Sequence, residues 1–284
     1  MTRAGLWVIV CLALAAPLPA QQGPVFSSRV TNVRVDVLVT DAGATVRGLT
    51  PADFDVRDNG VLQQVELMAV EEVPLNIALA LDLSGSVSGE RLGHLRAAAR
   101  SVVDALKPDD KVALLTFTGG VYVRTVLTAD RDRVRRVLDE ATSGGDTALV
   151  DAGFAAMALA ESDTGRALAM LFSDGADTAS FLTPSSVIAT ARRSEAIVYA
   201  ASAGGPARST FLRDLCDVTG GRLLSLTSTG GLGNAFLNIL EEFRQRYLIS
   251  FQPRGVSADG WHTLDVRVRN RRAEVKARPG YFAR

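Results

Sequence analysis

Two cysteines and two histidines are all that the 284 residues contain. That excludes a disulfide scaffold and a cysteine-built zinc site. It also leaves few candidates for a His-metal cluster or a Ser-His-Asp triad. Net charge is missing too. The 31 basic residues balance the 31 acidic ones, so nothing global points to nucleic acid or an anionic membrane as partner. No internal repeat or low-complexity tract occurs. Apolar residues make up 47% and charged residues 22%, which is the composition of a folded protein with a sizeable core.

The first twenty residues read as a secretory signal. Arg3 supplies the positive charge, Leu6–Ala16 the apolar centre, and Pro17-Leu18-Pro19-Ala20 the approach to a cleavage point after Ala20. The apolar centre is too short for a typical membrane span. An uncleaved N-terminal anchor is the other reading, and both place the rest outside the cytoplasm. The mature chain carries no expected membrane span. Cys11 falls in the leader, and Cys216 is expected as a buried free thiol in a helix.

The remainder divides into three blocks. From about Ser27 to Glu72, Val33, Val35, Val37 and Val39 alternate with Arg34, Asp36, Leu38 and Thr40, the pattern of a half-buried strand. Asp58-Asn59-Gly60 between apolar segments predicts a hairpin, because both turn residues tolerate positive φ. From Val73 to Arg244 the period changes. Continuous apolar runs at Ile77–Leu81, Val112–Phe117, Ala167–Phe172 and Ala196–Ala201 alternate with helical stretches. Buried strands alternating with helices predict an α/β doubly wound, mostly parallel, Rossmann-like sheet. From about residue 245 to Arg284, period-two patterning returns. The two thin flanks, residues 27–72 and 245–284, are expected to pair into one small antiparallel β domain in which the α/β domain is inserted.

Three segments of the middle block carry oxygen chemistry. Asp82-Leu83-Ser84-Gly85-Ser86 follows the first buried strand, Gly145-Asp146-Thr147 opens a helix, and Ser173-Asp174-Gly175 follows the fourth strand. Ligands of open α/β sheets bind outside the carboxyl ends of strands. Asp82, Ser84, Ser86, Thr147 and Asp174 offer two carboxylates and three hydroxyls there. All are hard oxygen donors suited to Mg²⁺, Mn²⁺ or Ca²⁺. In an extended segment Asp82, Ser84 and Ser86 face one way. Each segment also has an ordinary reading. Asp82 can start a turn, Ser86 or Ser88 and Asp146 or Thr147 can cap helices, and Asp174-Gly175 is a common turn pair.

The Asp-x-Ser-x-Ser segment, the Thr of Gly-Asp-Thr-Ala-Leu and the Asp of Phe-Ser-Asp-Gly together resemble the metal-ion-dependent adhesion site of von Willebrand factor A domains. The flanks, with Gly48–Phe54, Asp58-Asn59-Gly60 and Arg278-Pro279-Gly280-Tyr281-Phe282, resemble A-domain-related secreted proteins of the Acidobacteria type. The resemblance implies direct ion contacts from Ser84, Ser86 and Thr147. It implies indirect ones from Asp82 and Asp174, through water or hydrogen bonds. It also implies a partner protein whose Asp or Glu carboxylate completes the shell. Asp146 and Asp177 add acids nearby, which would strengthen ion binding and weaken docking of an acidic partner.

Two other functions compete with this adhesion or interaction module. A metal-dependent hydrolase needs a general base or activated nucleophile near the ion. Neither His94, expected at the surface, nor His262 is placed there by the sequence. Gly85–Gly89 lacks the central serine of a nucleophile elbow, Gly231-Leu232-Gly233 lacks the third glycine of a dinucleotide fingerprint, and no Walker lysine occurs. A structural module with a vestigial ion site is the third reading. The basic cluster Arg267, Arg269, Arg271, Arg272, Lys276 and Arg278 is expected as a solvated strand face.

Overall fold

A strand covered on both faces has no use for polar side chains, and the middle block is built from such strands. The computed structural model describes residues 32–68, 73–174, 176–203 and 210–283. The expected signal segment, the start of the first flank at Ser27, and Gly175 lie outside them. The first flank forms β1 (Val33–Asp41), β2 (Ala44–Thr45), β3 (Phe54–Asp58), β4 (Val61–Leu62) and β5 (Val65–Met68). The middle block continues with β6 (Leu75–Asp82), α1 (Glu90–Asp104), β7 (Lys111–Phe117), β8 (Val121–Thr128), α2 (Arg131–Glu140) and α3 (Leu149–Ala160). It ends with β9 (Arg166–Ser173), α4 (Pro184–Ala191), β10 (Ile197–Ser202), α5 (Thr210–Thr219), β11 (Leu223–Ser225) and α6 (Leu232–Arg244). The last flank forms β12 (Tyr247–Phe251), β13 (Gly260–Val268), β14 (Glu274–Lys276) and β15 (Gly280–Ala283).

The middle block is a six-stranded sheet in the order β11-β10-β9-β6-β7-β8. Every pairing is parallel except that of the edge strand β8, which joins β7 by a tight turn and so runs antiparallel. The sheet is covered on both faces. Ile77, Leu79 and Leu81 of β6 pack with α1, α2 and α6, while Ala78 and Ala80 pack with α3, α4 and α5. The period-two alternation of side chains therefore splits one apolar run between two cores. Asp130 caps α2 by accepting from Arg133 N, and Thr183 caps α4 by accepting from Ser186 N. The other caps considered in the sequence do not form. Gly89 precedes α1 and Ala148 precedes α3, and neither of these two residues supplies a side-chain cap bond. Cys216 is a buried free thiol on α5, and burial pushes its pKa up.

The flanks combine as expected from their alternation. One antiparallel sheet has the path β14-β1-β12-β5 with β2 attached, and a second has the order β15-β13-β3-β4. Both sheets draw on the two ends of the sequence. Val33, Val35, Val37 and Val39 turn one face inward and share a core with Phe54, Val56, Ile249, Phe251, Leu264 and Tyr281. Edge-on aromatic pairs link the sheets, Phe54 with Tyr247 at 5.4 Å and Phe251 with Tyr281 at 6.3 Å between ring centres. Asn59 and Gly60 take φ of 48° and 85°, as the hairpin requires.

A polar cluster sits in the second sheet. Tyr281 donates its hydroxyl to Asp58 Oδ2 at 2.6 Å, and His262 Nδ1 lies 2.7 Å from Asp58 Oδ1. Burial, and then the bond to Asp58, raises the Tyr281 pKa and keeps the hydroxyl a donor. Gly280 precedes it because a Cβ there would meet the His262 carbonyl at 2.2 Å. The aspartate of Asp58-Asn59-Gly60 and the tyrosine of the C-terminal Pro-Gly-Tyr are thus bonded to each other.

The β unit meets the amino ends of the parallel strands through buried charge. Arg166 pairs with Asp36 and also donates to the Phe243 carbonyl at 3.0 Å. Arg246, fully buried, donates to Tyr199 Oη at 3.1 Å, to the Asp36 carbonyl at 3.4 Å and to the Gly220 carbonyl. Arg278 corrects the sequence reading. It is not on a solvated face but buried, donating to the carbonyls of Gly280 at 2.7 Å and Arg192 at 2.9 Å.

Replacing Asp58 by Ala removes the shared acceptor and leaves the buried Tyr281 hydroxyl and His262 Nδ1 only each other, 3.1 Å apart. A loss of about 3 kcal/mol is expected, read from the urea midpoint, with Asp58→Asn losing less because it keeps an acceptor.

Candidate functional site

Asp82 is the last residue of β6, and its neighbour in the pairing scheme is fixed. Leu81 lies opposite Phe172 of β9, which sets Asp82 beside Ser173 and brings Asp174 to the same sheet edge. Asp82 is completely buried. Its Oδ1 accepts from Ser84 N at 2.8 Å and its Oδ2 from Ser173 Oγ at 2.7 Å. The first bond folds the chain just after the strand, so the turn reading of Asp82 and its place in the cluster are the same fact. Burial raises the Asp82 pKa, the two serine bonds oppose that rise, and the Asp174 carboxylate adds to it.

The hydroxyls follow in a chain. Ser84 Oγ and Ser86 Oγ are 3.1 Å apart, and Ser86 donates to Asp174 Oδ1 at 2.5 Å. Asp174 is only 5% exposed, and its other oxygen accepts from Arg91 Nη1 at 2.9 Å. Arg91 stands on the first turn of α1 and also donates to the Ser86 carbonyl at 3.2 Å.

Thr147 arrives on a neighbouring loop. Gly144 N donates to the Leu83 carbonyl at 2.7 Å and Gly85 N to the Gly145 carbonyl at 3.0 Å, which zips the Thr147 loop to the Ser84 loop. Thr147 is buried. Its amide donates to Thr178 Oγ1 at 3.0 Å, and its carbonyl accepts from Thr178 N at 2.8 Å. The structure therefore links Asp82, Ser84, Ser86 and Asp174 by direct side-chain and backbone bonds. It brings Thr147 to them through loop backbone, with no bond from its hydroxyl to theirs.

Sequence reasoning passed over Ser173, Arg91 and Thr178. Ser173 had a signal, since it stands one residue before Asp174 at a strand end. Arg91 and Thr178 act across loops distant in sequence, and nothing local marks them. Asp177 also bonds the backbone of α3. Its Oδ1 accepts from Val150 N at 3.1 Å, so it sits against the amino end of α3, where a carboxylate is favoured. His94 is on the surface of α1 as expected, 3.0 Å from Thr229 Oγ1, and His262 is in the β unit.

The donor set fits a hard divalent cation. Two buried carboxylates and a row of hydroxyls face one another, with one guanidinium as the counter-charge within contact distance. Among the described residues no three His, Cys, Asp or Glu converge, so an ion at this place would draw on the hydroxyls.

Residues 77–176, which span Asp82, Ser84, Ser86, Thr147 and Asp174, match the family model of the von Willebrand factor type A domain. Among curated proteins no sequence relative matches the chain. Among solved structures, a von Willebrand factor type A protein from Catenulispora acidiphila is similar with TM-score 0.56 and 13% identity, over 87% of this chain and 75% of that one. Proximal thread matrix protein 1 of the mussel byssus, solved with zinc in its MIDAS motif, is similar with TM-score 0.53 and 16% identity. That match covers 62% of this chain and 47% of the mussel protein, so the chain spans about half of it.

A buried carboxyl whose pKa is raised on folding favours acid: its contribution is largest below the ordinary value and is lost as pH rises through the raised one. In chelator at neutral pH, Asp82→Asn is therefore expected to melt at or above the parent temperature. If the parent gains Tm in Mn²⁺, roughly several °C at saturating ion, the same variant should lose that gain. Paired thermal melts check both halves. The α/β unit of this chain has the fold of von Willebrand factor type A domains, and its residues 77–176 match their family model.

Proposed function

We propose that the chain is an extracytoplasmic protein-binding module whose α/β unit holds a Mg²⁺-type ion, completed by an Asp or Glu carboxylate of a partner protein. The single observation that carries the reading is the Asp82–Ser84–Ser86–Asp174 chain of contacts at the carboxyl ends of adjacent parallel strands. Ser84, Ser86 and Thr147 would hold the ion directly, and Asp82 and Asp174 would act through hydrogen bonds or water. When bound, such an ion supplies an electrophilic open position for a carboxylate oxygen. Asp82 fixes the backbone of Ser84, Ser173 holds Asp82, and Asp174 orients the Ser86 hydroxyl. Because the nearest donors are neutral hydroxyls, little negative charge faces an incoming acid.

Neither histidine supports the hydrolase reading, since His94 bonds Thr229 and His262 is buried in the β unit. The leader sequence supports export, and among the described residues no helix is long and apolar enough to cross a membrane.

Calorimetric titration with Mg²⁺ and Mn²⁺ is expected to show one site, lost in Ser86→Ala. Capture of a partner from envelope extract is expected to cease in chelator. No heat with either ion would favour a vestigial site. Turnover of phosphoesters or peptides with Mn²⁺, lost in Asp82→Ala, would make the chain a hydrolase and overturn the proposal.

A further inference from the structure

The candidate ion site has different neighbours on the two faces of the sheet. On the α1 face stands Arg91, whose guanidinium reaches Asp174 and the Ser86 carbonyl while its side chain is still 56% exposed. On the α3 face stand apolar side chains that the described residues leave exposed. Phe181 is 92% exposed, Leu182 38% and Phe154 40%.

The patch is held in place. Asp151, on the first turn of α3, accepts from Phe181 N at 3.0 Å and from Leu182 N at 2.9 Å. Ser180 Oγ accepts from the amides of Val150 and Asp151 at 3.0 and 3.1 Å. Thr178 is bonded to Thr147 on both sides of the peptide. The loop therefore runs from Thr147 along one turn of α3, a rise of roughly 5–6 Å. Phe154, three residues after Asp151, lies on the same helix face. An exposed phenylalanine costs solubility and gives the fold nothing, so its position beside a binding site calls for a partner. It is also the kind of rigid aromatic side chain that anchors interfaces.

We propose that Phe181, Leu182 and Phe154 on one side and Arg91 on the other form the specificity surface around the ion site. The occupant is a protein segment whose acidic residue has a large apolar residue close to it in sequence. The acid completes the shell of the proposed ion beside Arg91, whose guanidinium offsets the charge of Asp174, and the apolar neighbour covers Phe181. This inference rests on the proposed ion-dependent function and adds the chemistry of the partner segment.

The test uses a display library of random peptides, selected on the whole protein in Mn²⁺ and eluted with chelator. Enriched peptides are expected to carry Asp or Glu with Phe, Leu, Ile or Trp within two or three positions. Phe181→Ser is expected to weaken them about tenfold or more without changing Tm or the Mn²⁺ titration, because the side chain is outside the core. Arg91→Gln is expected to weaken them less and to reduce their salt dependence. Chelator-sensitive peptides that bind Phe181→Ser as well as the parent would overturn this inference and leave the ion reading standing. Enrichment of only chelator-insensitive peptides, or of none, would overturn both.

Discussion

The parallel pairing of β6 with β9 governs the site. Register is all-or-none here, because a slip of one residue sends each side chain to the opposite face. With Leu81 opposite Phe172, the apolar side chains divide between the two helical layers, and Asp82 ends beside Ser173 with Asp174 next in line. The core and the polar edge are thus selected together. The hydrophobic alternation that excludes other registers also delivers two carboxylates to one place. Each would be costly to bury alone. Hydrogen bonds from Ser84 N, Ser173, Ser86 and Arg91 make the burial tolerable.

Much of this was legible because the signals are local. Apolar runs such as Ile77–Leu81 and Ala167–Phe172 read as strands closed on both faces, and an oxygen-rich tripeptide or pentapeptide at their ends stands out. The alternating valines of β1 announce a half-buried strand in the same way. What was not legible depends on partners far away in sequence. Arg91 meets Asp174 across 83 residues, and Thr178 meets Thr147 across 31. Arg278 looks like one more member of a basic, alternating strand, yet two carbonyls from separate elements draw it inside. Composition cannot distinguish that arginine from Arg267, which stays on the surface beside Asp265. Asp177, expected as a further acid near the site, has a bonding partner that the sequence does not mark. Its role depends on where α3 begins, and Ala148, which precedes that start, supplies no side-chain cap bond.

The β unit shows how two thin flanks make a core that neither has alone. β1 bonds β12 along one stretch and β14 along the next, so the first strand of the described chain is held by strands from the far end. β13 joins β3 in the second sheet. Asp58, His262 and Tyr281 then tie three strands of that sheet with a buried polar cluster. Such clusters favour one arrangement over near-alternatives, because any misalignment leaves polar atoms unpaired.

Asp110 gives the connection between the two parts a mechanical meaning. Its Oδ1 accepts from Leu75 N at 2.9 Å, where the chain enters the parallel sheet. Its Oδ2 accepts from Arg244 Nη2 at 2.6 Å, where the chain leaves. Entrance and exit are clasped by one buried carboxylate. A pull transmitted along the backbone from flank to flank would therefore load the clasp first and pass by the strands that carry Asp82 and Asp174. The edge that carries Asp82 and Asp174 would keep its shape under tension until that clasp gave way.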